Sequence, residues 1–87
     1  MTQKEITTAK RKAKECLEVF NMNVPMTKMH VNFYFIYDNS FYVTFHDVRN
    51  KNFYSCSYNK KVNLYILTFC DDTDKPKVFS KRGENND

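Results

Sequence analysis

Glycine is nearly absent from this 87-residue chain, with Gly83 the only one. That excludes the glycine-rich loops that cradle phosphates, and it leaves the turns to be built by Asn, Asp, Ser and Lys. Tryptophan is missing, and cysteine is limited to Cys16, Cys56 and Cys70. An odd count with no C-x-x-C spacing argues against a disulfide framework. The longest largely apolar run, residues 64–70, is far short of a membrane span. The opening Met1-Thr2-Gln3-Lys4-Glu5 has no apolar stretch of the kind a secretory signal carries. The expectation is a reduced, cytoplasmic protein that does not enter membranes.

What is present is aromatic and basic. Eight Phe and six Tyr let a short chain bury much area per residue, and 41% hydrophobic residues suffice for one core but not for two domains. The net charge of +4 comes from 14 Lys plus Arg against 10 Asp plus Glu. Six basic residues fall within the first 28: Lys4, Lys10, Arg11, Lys12, Lys14 and Lys28. A bias of that size suits a nucleic-acid backbone or an acidic partner, and equally a well-solvated helix. Abundant Lys, Asn, Phe and Tyr is also what an AT-rich genome encodes, that of a virus, a phage or an AT-rich bacterium; with the small size and the lack of a catalytic constellation it suggests a phage or mobile-element factor, which if phage-encoded acts in the host cytoplasm.

Thr2-Gln3-Lys4-Glu5 matches a capping box. Ile6, Ala9, Ala13, Cys16, Leu17 and Phe20 follow at helical spacing and form one apolar stripe. The helix is expected to end near residues 21–23, ahead of Pro25. Four strands are expected at 30–37, 41–48, 53–58 and 62–69, separated by short stretches rich in turn residues, hence an antiparallel meander. Three-residue first and third loops pair Phe35 with Val43 and Cys56 with Leu64. One face then carries Val31, Phe33, Phe35, Phe41, Val43, Phe45, Tyr54, Cys56, Tyr58, Val62, Leu64 and Ile66, and the helix is its natural cover. The predicted fold is α+β, with an N-terminal amphipathic helix on one face of a four-strand antiparallel sheet. The domain spans 1–79, and a polar tail, 80–87, is expected to be disordered. In topology this resembles cystatin-like helix-on-sheet folds, which host unrelated functions. No motif ties the chain to a family.

The second face of that sheet carries His30, Asn32, Tyr34, Ile36, Tyr42, Thr44, His46, Val48, Phe53, Ser55, Ser57, Asn63, Tyr65, Leu67 and Phe69. Tyr34, Ile36, Tyr42, Phe53, Tyr65, Leu67 and Phe69 are more apolar than a solvated face requires. A contiguous apolar area of this kind marks an interaction site, unless segment 71–79 folds back over it. The leading expectation is a small non-enzymatic binding protein, a phage-type accessory factor that binds and inhibits a host protein through this face or a sheet edge. Homodimerisation through the face, or through the edge of strand 62–69, is a further ordinary reading. The alternative is a single-stranded nucleic-acid module, with bases stacked on Tyr34, Tyr42, Phe53 and Tyr65 and phosphates met by Arg49, Lys51, Lys60 and Lys61.

Catalytic chemistry finds little support. His30 and His46 share a face as diagonal neighbours, but a metal site needs three or four ligands, and Asp47 and Cys70 have the wrong parity. Ser55 lies opposite His46 with no carboxylate to orient the imidazole and no oxyanion hole. His30, Asn32, Tyr34, His46 and Arg49 compose a third reading, a small metal-free ribonuclease-type toxin. No cofactor is expected.

Overall fold

The computed structural model of the protein describes residues 2–71 and 75–84. Helix α1 spans Gln3–Val19. The expected cap forms: the Thr2 hydroxyl oxygen accepts the Glu5 amide at 3.1 Å. The stripe does what its spacing implies, with Ala9, Ala13, Cys16 and Leu17 buried and Ile6 and Phe20 packed at its ends. The helix stops before the proline can act. Asn21 takes the left-handed conformation (φ 58°), and the Met22 and Asn21 amides donate to the carbonyls of Leu17 and Glu18 at 2.9 and 3.1 Å. This is a Schellman ending, which Asn tolerates almost as readily as Gly.

A short 3₁₀ turn, Met26–Lys28, leads into a five-stranded antiparallel sheet in the order β1-β2-β3-β4-β5. The strands are β1 Met29–Tyr37, β2 Ser40–Asp47, β3 Phe53–Asn59, β4 Leu64–Cys70 and β5 Lys77–Arg82. The helix-on-meander architecture is as the sequence predicts, and the fifth strand is an addition. Of the two places the sequence leaves for Val78 and Phe79, a short edge segment or a position under the sheet, they take the edge, as part of β5. Ser80, Lys81 and Arg82, expected in the disordered tail, complete that strand. Gly83 is tied down as well, its amide donating to the Asn63 carbonyl at 2.9 Å. A Cβ there would come within 2.4 Å of Asn63 Oδ1, so this position takes glycine for close approach. The rest of the expected tail, residues 85–87, lies outside the described residues.

Three loops set the register, and all three differ from expectation, two of them by an odd number of residues that exchanges faces. Asp38 and Asn39 both have positive φ (50° and 65°), the signature of a two-residue type I′ hairpin. Tyr37 therefore pairs with Ser40, and Phe35 with Tyr42 instead of Val43. That one-residue displacement turns residues 33–37 over. A bulge between Val31 and Phe33 turns the strand back, so that Val31 keeps the core side expected of it, now beside Phe45, where Phe33 was expected. Across β2 and β3, Phe41 meets Tyr58 and Val43 meets Cys56. A turn across Asn50-Lys51 would pair Val43 with Tyr58 and Phe45 with Cys56, and the shift of two from that expected pairing leaves the faces unchanged. The β3–β4 connection runs from 60 to 63, with Asn63 at φ 52°, so Cys56 pairs with Leu67 rather than Leu64. The odd displacement exchanges the faces of β4.

The helix lies on the side of Val43, Phe45, Tyr54, Cys56, Tyr65 and Leu67, which close the core with α1. Phe45 and Tyr54 stack with centroids 4.8 Å apart and planes 9° from parallel. Tyr34 joins this side by donating its hydroxyl to the Glu5 carboxylate, which ties the first turn of α1 to β1. That bond, before the one from Thr2, holds the Glu5 carboxyl below its usual range. The molecule is two layers deep, 40 × 32 × 17 Å, with helix on one side only.

Candidate interaction surface

The strand pairings define the face that the helix leaves open. Its rows run Phe35–Tyr42–Ser57–Ile66–Ser80, then Phe33–Thr44–Ser55–Thr68–Val78, with His30, His46, Phe53 and Cys70 beyond and Tyr37 at the turn end. Of the residues expected here, Tyr42 and Phe53 are in place, 43% and 38% exposed. Five are not. Tyr34 and Ile36 are turned to the helix side by the two-residue hairpin, and Tyr65, Leu67 and Phe69 by the longer β3–β4 connection. Tyr65 illustrates the change: it is buried, and its hydroxyl donates to Glu15 at 3.2 Å. Burial first, and then the Glu15 charge, push that phenol up to about 12.

In exchange the open face gains Phe33, Phe35 and Tyr37, 54%, 60% and 71% exposed, together with Ile66 and Val78. Phe33 and Phe35 are the residues that the three-residue loop would have buried. The signal that finds them is the Asp38-Asn39 pair, since both residue types tolerate the left-handed region that a two-residue turn demands. Phe33 and Tyr42 meet edge to face, centroids 6.0 Å apart. The middle of the face is lined with hydroxyls, Thr44, Ser55 and Thr68 in one row and Ser57 beside them. The apolar surface is thus concentrated towards β1 and β2.

Charge is kept off this face. Along its rows only Arg82 is ionised, at the end of β5, where it donates to the Val62 carbonyl at 2.8 Å. Of the expected basic contacts, Arg49 is engaged with the buried Asp47 carboxylate, at 2.7 Å through Nη2 and 3.0 Å through Nε. Lys51 is exposed in the same turn at φ 63°. Lys60 lies 3.7 Å from Asp38, and Lys61 is exposed beside it. At the turn end of this face aromatic and basic groups adjoin. A hollow of about 360 Å³ between the β1–β2 and β3–β4 turns is lined by Phe35, Tyr37, Lys60 and Lys61 among others. A second hollow, about 480 Å³, lies between the end of α1 and β4–β5. It mixes Glu15, Glu18 and Glu84 with Lys81 and Arg82, so its charges offset one another.

His30 and His46 are directly opposite, not diagonal, with ring centroids 4.7 Å apart. Among the described residues no third His, Cys, Asp or Glu joins them to hold a metal ion. Ser55 pairs with Thr44 and His46 with Phe53, so the Ser–His juxtaposition does not form. The ribonuclease-type group is dispersed, since Tyr34 belongs to the helix side and Arg49 to Asp47. The three cysteines are free, Cys16 and Cys56 buried and Cys70 half-buried. Contact with the Cys16 thiol, then burial, push the Cys56 thiol well up. Among the described residues no helix is long and apolar enough to cross a membrane. No family model, curated protein or solved structure matches the chain.

Proposed function

We propose that this chain is a small binding protein that docks a protein partner on the β1–β2 side of its open sheet face. The observation that carries this reading is the cluster of Phe33, Phe35, Tyr37 and Tyr42, all exposed, on a face with no charged strand interior. Tyr and Phe supply large contact area at low entropy cost. Four such rings exceed what a face left in water ordinarily carries. The AT-rich composition extends the reading to a phage or mobile-element accessory factor acting as inhibitor of a host protein. Most of the helix's basic residues lie on the other side of the molecule. Lys12 sits 3.6 Å from Glu15, and Lys14 is bonded to Asn23.

A second reading, single-stranded nucleic-acid binding, is favoured by the hollow in which Phe35 and Tyr37 adjoin Lys60 and Lys61. Charge separates the two. A partner is captured from nuclease-treated lysate and, in parallel, a mixed-sequence oligonucleotide is titrated with salt. Protein docking predicts that Tyr42→Ala costs ~2 kcal/mol or more of affinity for the captured protein, with a shallow salt slope. Tight oligonucleotide binding with a steep slope, flattened by Lys60→Gln with Lys61→Gln, would overturn it.

A further inference from the structure

We infer that β1 is a self-pairing edge: two copies of this chain join antiparallel along residues 33–37, with the two-fold axis at Phe35, into one continuous sheet. This pairing engages Phe33, Phe35 and Tyr37 from the strand edge, and its test does not depend on what docks on the open face.

The two edges of the sheet are built differently. In the strand order β1 and β5 are the outer strands, each hydrogen-bonded on one side only. β5 reads Lys-Val-Phe-Ser-Lys-Arg, so an antiparallel copy centred on it would bring Lys77 up to Lys81 and Arg82, like charge to like charge. Such lysine-bearing edges are the usual protection against strand addition. β1 reads Met-His-Val-Asn-Phe-Tyr-Phe-Ile-Tyr, nine residues with no Lys, Arg, Asp, Glu or Pro. A chain of net charge +4 pairs with itself only where its charges are absent, and this is such an edge.

The bulge and the turn select the register. The bulge between Val31 and Phe33 bends β1 at one end, and the Asp38-Asn39 turn ends it at the other. The regular stretch between them is 33–37, whose midpoint is Phe35. An antiparallel two-fold pair centred there sets Phe35 against its copy, Phe33 against Tyr37, and Tyr34 against Ile36. Every cross-strand pair is then aromatic–aromatic or aromatic–aliphatic, the combinations that stabilise antiparallel ladders. Asp38 falls opposite Asn32, so no like charges meet. Phe33, Phe35 and Tyr37 are among the most exposed rings of the molecule, and this is where a second copy covers them. With the edge main chain and the half-buried Tyr34 and Ile36, each copy contributes on the order of 500 Å², about 1,000 Å² in all. That is the lower limit for a specific interface, the size class of weak, transient pairs.

The test is sedimentation velocity of the full chain from low micromolar to about 300 µM, a range suited to a weak pair. The mass should rise from one chain to two. Phe35→Lys, which sets two ammonium groups on the axis, should hold the protein at one chain throughout, with an unchanged circular dichroism spectrum. Val78→Lys, at the far edge, should dimerise like the wild type. As a measurement free of mutation, amide protection over 33–37 should increase with protein concentration while that over 77–82 does not. A chain monomeric to the highest concentration, or a dimer that survives Phe35→Lys and is lost in Val78→Lys, overturns the inference. Either result leaves the docking role of the open face to its own assay.

Discussion

Phe45 and Phe33 have the same side chain and should respond very differently to truncation. Phe45 is fully buried and stacked on Tyr54. Phe45→Ala removes most of a ~200 Å² ring from the core and leaves a cavity beneath α1, and such changes cost about 3–5 kcal/mol. Phe33 lies opposite Thr44 on the open face and is more than half exposed. At ~25 cal/mol per Å², the part of its ring that folding covers stabilises by at most ~2 kcal/mol. Solvent and Tyr42 refill the space, so the expected loss for Phe33→Ala is about 1 kcal/mol. In a domain of this size each kcal/mol moves the melting temperature by roughly 4–8 °C. Thermal and urea melts at low micromolar concentration therefore separate the variants: Phe33→Ala melts a few degrees lower, Phe45→Ala at least a dozen. Equal losses would falsify the two-residue hairpin, because they would put Phe33 back under the helix.

Asp47 is buried, and the Arg49 guanidinium beside it, more than any other group, holds its carboxyl at about 2. A depressed carboxylate stabilises fully above its unfolded value near 3.8, and that contribution is lost as pH falls through about 2. Asp47→Asn should thus cost ~1–2 kcal/mol in urea melts at pH 6, with the gap to wild type closing near pH 2; a gap independent of pH would refute the pairing. Native alkylation followed by mass spectrometry should add one group, at Cys70, while Cys16 and Cys56 react only in denaturant; rapid addition at all three would mean that α1 is not seated. Thr2→Ala should cost ~1 kcal/mol through the lost cap, read as a small drop in melting temperature with no change in spectrum.

The parts of the fold that were legible in the sequence are those with one-sided patterns. The stripe from Ile6 to Phe20 has polar residues between its apolar ones, and β2 alternates Phe41, Val43 and Phe45 with Tyr42, Thr44 and His46. Both reveal which side faces the core without knowledge of any loop. Residues 33–37 read Phe-Tyr-Phe-Ile-Tyr and 64–67 read Leu-Tyr-Ile-Leu. Neither alternates, so each can present either face inward, and the choice passes to the turns. Turn length by one residue then decides everything. The Asp38-Asn39 turn takes two residues where three were expected, and the β3–β4 connection ends at Asn63 and not at Lys61. β5 was hidden for another reason. Its six residues are exposed, and it is held by the ladder to β4 and by Gly83 on Asn63 more than by any buried side chain.

The same lack of alternation is what makes the surface a candidate. A strand apolar on both sides is stable where both sides are covered, as in sheets flanked by helices on each face. This chain supplies one helix, and it covers Tyr34, Ile36, Tyr65 and Leu67. On the far side of β4, Ile66 is flanked by Ser57 and Ser80 and can be tolerated in water. On the far side of β1, Phe33, Phe35 and Tyr37 have cross-strand neighbours on β2 alone, because β1 is an edge. Substituting Thr or Lys at these three positions would cost the core nothing, since none of them touches it. What they contribute is contact area at a margin of the sheet against which, among the described residues, no further element is placed. Under the two proposals made for this margin its cover is another molecule: a second β1 along its backbone, a docked partner over its rings, or both together on one widened sheet.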